Sequence, residues 1–240
     1  MKKLIMKVGL IIMALATMIT MNACSKINKD TAKDVCNALS EKYGEEFVAV
    51  KIGDRFNKDS AKLYVYPVKN ENILFTAKIN RNTGAVEDNY IEEKVYCAVE
   101  DIFAESFAEH KITVASRCMA VTRNQLSVED GEYTPKGFSD KYGIDHYTVY
   151  LAIKSGEYTA QDVISALKAV SEAIDVQIVT VAYVFDDAGY ESCAKTIKED
   201  PEISATMIEA LSPMSSFDAI ADNNGCSISE NELAEKLGRS

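Results

Sequence analysis

The sequence predicts an α+β protein: two small mixed or antiparallel sheet units with packed helices, and a helical C-terminal segment. Three observations predict it. Segments with 3.6-residue apolar spacing and segments with period-two alternation follow one another without a regular β-α-β series. Three strand-like segments run in succession early in the chain. The composition is that of a globular chain, 47% hydrophobic and 26% charged over 240 residues.

Residues 31–43 read as a helix. Ala32, Val35, Cys36, Leu39 and Tyr43 share one face, Asp30 or Thr31 caps it, and Gly44 ends it. Residues 47–52 form a first strand. Residues 61–68 alternate Leu63 and Val65 against Tyr64 and Tyr66, and Pro67 marks an edge or a strand end. Residues 73–79 alternate again and run into the turn Asn80-Arg81-Asn82-Thr83-Gly84. Residues 89–109 carry the clearest helical stripe: Ile91, Val95, Ala98, Val99, Ile102 and Phe103, with Cys97 roughly opposite and exposed.

Residues 112–121 read as a strand. Residues 122–145 contain Gly131, Pro135, Gly137 and Gly143 and no sustained period, so they hold either a hairpin or a functional loop. Residues 146–154 are a strand, and Thr159 caps a helix with Val163, Ile164, Leu167, Val170 and Ile174 inward. Residues 176–185 are apolar on both faces, as a central strand is. Helices follow at 190–199, 203–211 and 229–237, the last opened by a Ser229/Glu232 capping box. The expected division is an N-terminal αβββα unit over 31–111 and a second α+β unit with a helical tail over 112–240.

The start of the chain reads as an address. Lys2, Lys3 and Lys7 precede an apolar run over 8–21, too short to span a bilayer. Met21-Asn22-Ala23-Cys24 resembles the bacterial lipobox, with Met21 in place of the usual Leu and Asn22 in place of Ser or Ala. In that motif the Cys receives a diacylglyceryl thioether and becomes the mature N-terminus. The resemblance implies a signal peptide over 1–23, lipidation of Cys24 and a tether through residue 30. The leader holds three of the 26 basic residues and no acid, so its removal leaves 23 basic against 37 acidic side chains, a net of −14. Such a chain is repelled by anionic lipid, so a diacylglyceryl anchor on Cys24 would hold it at the extracytoplasmic face of the cell membrane.

Residues 31–86 run helix, strand, strand, strand and end on Asn80-x-x-Thr83-Gly84-x-Val86. This resembles the PepSY-type, cystatin-like units of extracytoplasmic bacterial proteins, whose last hairpin often carries Asp-x-x-Thr-Gly-x-Val; here Asn80 stands for the Asp. The whole chain resembles small uncharacterised lipoproteins of Gram-positive bacteria. PepSY-like units are associated with binding or restraining peptidases, so the resemblance implies protein interaction rather than catalysis.

The chemical inventory points the same way. His110 sits at a helix end and His146 at a strand start, neither in a ligand spacing. Ser165-x-x-Lys168 and Ser192-x-x-Lys195 match the Ser-x-x-Lys of penicillin-interacting acyl enzymes, but both pairs lie opposite their apolar stripes, and no Ser-Asp-Asn or Lys-Thr-Gly accompanies them. Asp222-Asn223-Asn224-Gly225 with Glu232 misses the EF-hand spacing and reads as a polar turn before a capped helix. Glu92-Glu93 and Asp186-Asp187 read as solvated acids. Tyr64, Tyr66, Tyr133 and Tyr142 could line a ligand surface, with strand and core tyrosines the default.

Five cysteines follow Cys24. Cys36, Cys118 and Cys193 fall on apolar faces, and an extracytoplasmic setting permits one disulfide with no pair assigned. No cofactor or metal is expected, and a sequence pI near 4.8 argues against nucleic acid. The expected function is non-enzymatic binding of an envelope protein or peptide. The alternative is an envelope hydrolase with a dispersed active site. A solute-binding lipoprotein is disfavoured because the mature chain is small for two lobes around a cleft.

Overall fold

The computed structural model describes residues 29–52, 59–121 and 127–238. The expected signal peptide, Cys24 and residues 24–28 of the tether lie outside them. Among the described residues the chain is α+β and mixed, with a four-stranded sheet, a five-stranded sheet and seven helices. It divides into two compact units. One takes in Thr76–Asp88 and the chain up to Glu71; the other takes Asn72–Phe75 and the chain from Asn89 on.

The first unit opens with α1 (Lys29–Tyr43), which begins inside the expected tether. Val35 and Leu39 are buried along its inner face, and Gly44, at φ +70°, ends it by donating its N–H to Ser40 O. Strands β1 (Phe47–Ile52), β2 (Ser60–Pro67), β3 (Phe75–Asn80) and β4 (Val86–Asp88) form the sheet in that order. β1 and β2 are antiparallel, with a register shift between Ala49 and Lys51. Pro67, opposite Phe47, closes an inner strand rather than lying on an edge. Asn80 shapes the next turn: its Oδ1 accepts from the N–H groups of Asn82 (2.9 Å) and Thr83 (3.2 Å), and Gly84 supplies φ +75°. The chain then returns as β4, antiparallel to β3 and too short to show an alternation in sequence. Asp88, at its end, accepts from Tyr43 Oη (2.6 Å) and Lys42 Nζ (3.1 Å) of α1.

The second unit begins with α2 (Tyr90–Glu109). The sequence-based boundary at 111/112 moves to Asp88/Asn89, because α2 packs on β5 (Val114–Val121) and α4 (Ala160–Ile174). Val95, Val99, Phe103 and Phe107 share a core with Val163, Leu167 and Val170. The region expected to be a hairpin or loop contains α3 (Pro135–Tyr142). Its apparent breakers are its ends: Thr134 Oγ1 accepts from Gly137 N–H, Pro135 opens the first turn, and Gly143 closes it at φ +64°.

The sheet runs β5, β6 (His146–Lys154), β7 (Ile178–Phe185), β8 (Ser215–Asp222), β9 (Gly225–Cys226). Only β6 and β7 are parallel, joined through α4 with its Thr159/Asp162 capping box. β7 is central, as its two-sided apolar run predicts. Helices α2, α3, α4 and α7 (Glu230–Lys236) contribute to the core on one face. On the other face, α5 (Asp187–Glu199) and α6 (Ala205–Glu209) bury Tyr190, Cys193, Ile197 and Ile208 with Ala152, Tyr183 and Phe185. The C-terminal segment is therefore not purely helical. β8 alternates buried Phe217, Ala219 and Ala221 with exposed Ser216, Asp218 and Ile220.

Candidate functional site

Helix α2 buries a second stripe beside its apolar one. Glu93, Cys97 and Glu100 recur at helical spacing and meet Arg117 of β5. Glu93 and Arg117 are each only 4% exposed. Arg117 Nη2 donates to Glu93 Oε2 at 2.6 Å and to Leu74 O at 3.5 Å. Arg117 Nη1 lies 4.0 Å from Glu100 Oε1, which also accepts the Cys118 N–H at 2.7 Å. Asn89 Nδ2 donates to Glu93 Oε1 at 3.1 Å, and Cys97 Sγ donates to Asn72 O at 3.5 Å. β5 is an edge strand, so α2 and Glu100 cover a backbone donor that would otherwise face outward.

Two carboxylates share one guanidinium here. Burial pushes Glu93 up to about 8, against the pull of Arg117, with Glu100 and Glu92 adding to the rise. Burial likewise takes Glu100 up to about 7, against Arg117 and the Cys118 N–H. Burial opposes the charge of Arg117, but the two carboxylates outweigh it and hold that charge firmly. Burial, reinforced by the same carboxylates, raises the thiols of Cys97 and Cys118 and keeps them protonated. The cluster can hold a proton near neutral pH and clamp α2 to β5. Its reactive groups face one another.

The residues singled out from sequence lie elsewhere. Cys24 is outside the described residues. His110 caps α2, its Nδ1 3.5 Å from Asp162 Oδ1. His146 opens β6 opposite Val121. Ser165 accepts from Gln161 and Lys168 is exposed; Ser192 and Lys195 are exposed, with Lys195 3.9 Å from Glu199. Among the described residues, no hydrogen bond or ion pair joins either histidine to either serine–lysine pair. Asp222 Oδ1 accepts from Asn224 N–H at 2.7 Å and turns β8 into β9, while Glu232 sits under the Ser229 cap. Among the described residues, no three His, Cys, Asp or Glu side chains are grouped to hold a metal ion. No helix among them is long and apolar enough to cross a membrane.

Asp186 caps α5 by accepting from Gly189 N–H, and Asp187 lies 3.4 Å from Lys154. Tyr64 is buried rather than displayed, with the Lys51 ammonium 5.1 Å from its ring centre. Tyr133 and Tyr142 do converge, their hydroxyls 3.2 Å apart. Lys141 already fills that aromatic corner, 5.0 and 5.3 Å from the two rings and bonded to Glu129 at 2.8 Å. The five cysteines after Cys24 are all free thiols.

Glu93 and Cys97 differ from the sequence expectation, which placed the first among solvated acids and the second on the exposed side. The available signal was Glu-x-x-x-Cys-x-x-Glu on one helix, together with an arginine inside a strand of mostly apolar residues.

No family model matches the chain, and no curated protein matches it. Among solved structures it is similar to a DUF5037 family protein from Ruminococcus gnavus, whose crystal structure was determined at 2.55 Å. The TM-score is 0.66 at 12% sequence identity, over 86% of this chain and 99% of that one. At that identity the likeness establishes a shared α+β fold.

Proposed function

We propose that the chain is a lipid-anchored, extracytoplasmic protein that binds an envelope protein or peptide and is not an enzyme. The observation that carries the non-enzymatic reading is the inward-facing Glu93–Arg117–Glu100 cluster. In it the carboxylates of Glu93 and Glu100 and the guanidinium of Arg117 are turned toward one another and join α2 to β5, with Glu93 and Arg117 each only 4% exposed. The anchor rests on the basic start, the short apolar run and Ala23-Cys24. The helix followed by three strands over residues 29–80, with the Asn80 turn leading into the short β4, supports a relation to PepSY-like units and so a role in protein interaction.

Cells expressing the chain are grown with radioactive palmitate. Label is expected on the wild type and absent from Cys24→Ala. An unlabelled wild type overturns the anchor. Sustained turnover of peptide, ester or cell-wall substrates by the purified chain overturns the non-enzymatic part.

A further inference from the structure

The five-stranded sheet ends on one side in β5, under α2, and on the other in the two-residue β9. β9 covers only the end of β8, pairing Ala221 with Cys226 and Asp222 with Gly225. Beyond it, Ser227 N–H donates to Ile220 O and Ile220 N–H donates to Ser227 Oγ, each at 2.8 Å. The backbone groups of Ile220 therefore point away from β7. By the alternation of an antiparallel ladder, those of Asp218 and Ser216 point the same way. The chain leaves the edge at Ser227, because Ile228 turns into the core and Ser229 opens α7. Among the described residues, no group pairs with the outward N–H and C=O of Ser216 and Asp218.

The edge has a chemical character. Asp218 is exposed, and with Glu209 it lies within electrostatic reach of the Tyr183 hydroxyl on the neighbouring strand. Neither carboxylate is ion-paired among the described residues. Ile220, on the same face as Asp218, is 43% exposed, and Met214 at the strand's start is 68% exposed. The edge thus offers backbone donors and acceptors, uncompensated acid and apolar surface in alternation. A second copy of this chain, at net charge −14 without residues 1–23, is a poor electrostatic match.

We propose that the outer edge of β8, over residues 215–219, takes up an extended cationic peptide segment of an envelope protein as an added strand. Main-chain hydrogen bonds to Ser216 and Asp218 would supply affinity, and a lysine or arginine opposite Asp218 would supply preference. This rests on the interaction reading above and names its surface and the chemistry of its partner.

The test uses a fluorescein-labelled alternating Lys-Val octapeptide, its Glu-Val counterpart and the full chain, read by anisotropy and by amide hydrogen exchange. The Lys-Val peptide is expected to bind in preference to Glu-Val and to slow exchange at the Ser216 and Asp218 amides. Ser216→Pro removes one outward N–H at a position where an edge strand tolerates proline, and should weaken binding about tenfold. Asp218→Lys, a change at an exposed side chain, should reverse the preference toward Glu-Val and keeps the test decisive if the proline variant fails to fold. Absence of binding, unchanged binding in Asp218→Lys, protection elsewhere than β8, or dimerisation of the chain through this edge overturns the proposal. The broader reading fails separately, through substrate turnover or an unlabelled Cys24.

Discussion

Replacing Glu93 by Gln keeps the shape of the side chain and removes its charge at every pH. In the folded chain Glu93 holds its proton up to about pH 8, whereas an unfolded glutamate releases it near 4.3. Between those values the folded state binds a proton that the unfolded state lacks. The group's stabilising contribution is thus complete below the unfolded value and is lost as pH rises through the folded one. From pH 6 to pH 8 that loss comes to about 2 kcal/mol for Glu93 alone. Glu100, raised to about 7, adds a loss of the same sign over the lower part of the range. Against a typical total of 5–15 kcal/mol this is readily measured. The chain has no Trp, so urea unfolding is followed by far-UV circular dichroism at pH 6, 7 and 8 and constant ionic strength. Wild type should lose stability across the series, and Glu93→Gln should flatten the curve by about 2 kcal/mol. Parallel curves for the two proteins, or a wild type that gains stability with pH, would refute the reasoning.

Three further outcomes follow from the same structure. Arg117→Met strands two buried carboxylates and should cost about 3–5 kcal/mol at pH 8 and clearly less at pH 5, in the same urea series. Gly143→Ala places a Cβ at φ +64° with no atom within 4 Å, so its cost is conformational, about 1 kcal/mol, read as a lowered Tm. In the native chain Cys118 and Cys193 should resist a thiol reagent that reaches half-buried Cys36 and Cys226, and all should react after unfolding. Peptide mapping of the labelled cysteines checks the last point.

Most helices and long strands were legible because each buries one face of one element. Residues 47–52 and 146–154 coincide with β1 and β6, and Thr159 caps α4 as its spacing indicates. Short elements escaped. β4 and β9 have three and two residues and exist only through their partners. α3 hid behind Pro135, Gly137 and Gly143, which look like breakers and act at its ends. β8 alternates, but its inward residues include two alanines, so its signal is faint. The unit boundary was misplaced because α2 has apolar residues on more than one side, and sequence does not say which neighbour covers which. The Glu93–Arg117–Glu100 cluster needed the fold: acids on a helix look solvated until a strand brings a guanidinium to them.

The N-terminus of the protein purified from the membrane fraction of cells that express it tests the anchor most directly. Intact-mass and N-terminal peptide analysis should show a chain starting at Cys24 and carrying a diacylglyceryl group. A chain that retains Met1, or starts at Cys24 without lipid, would contradict it.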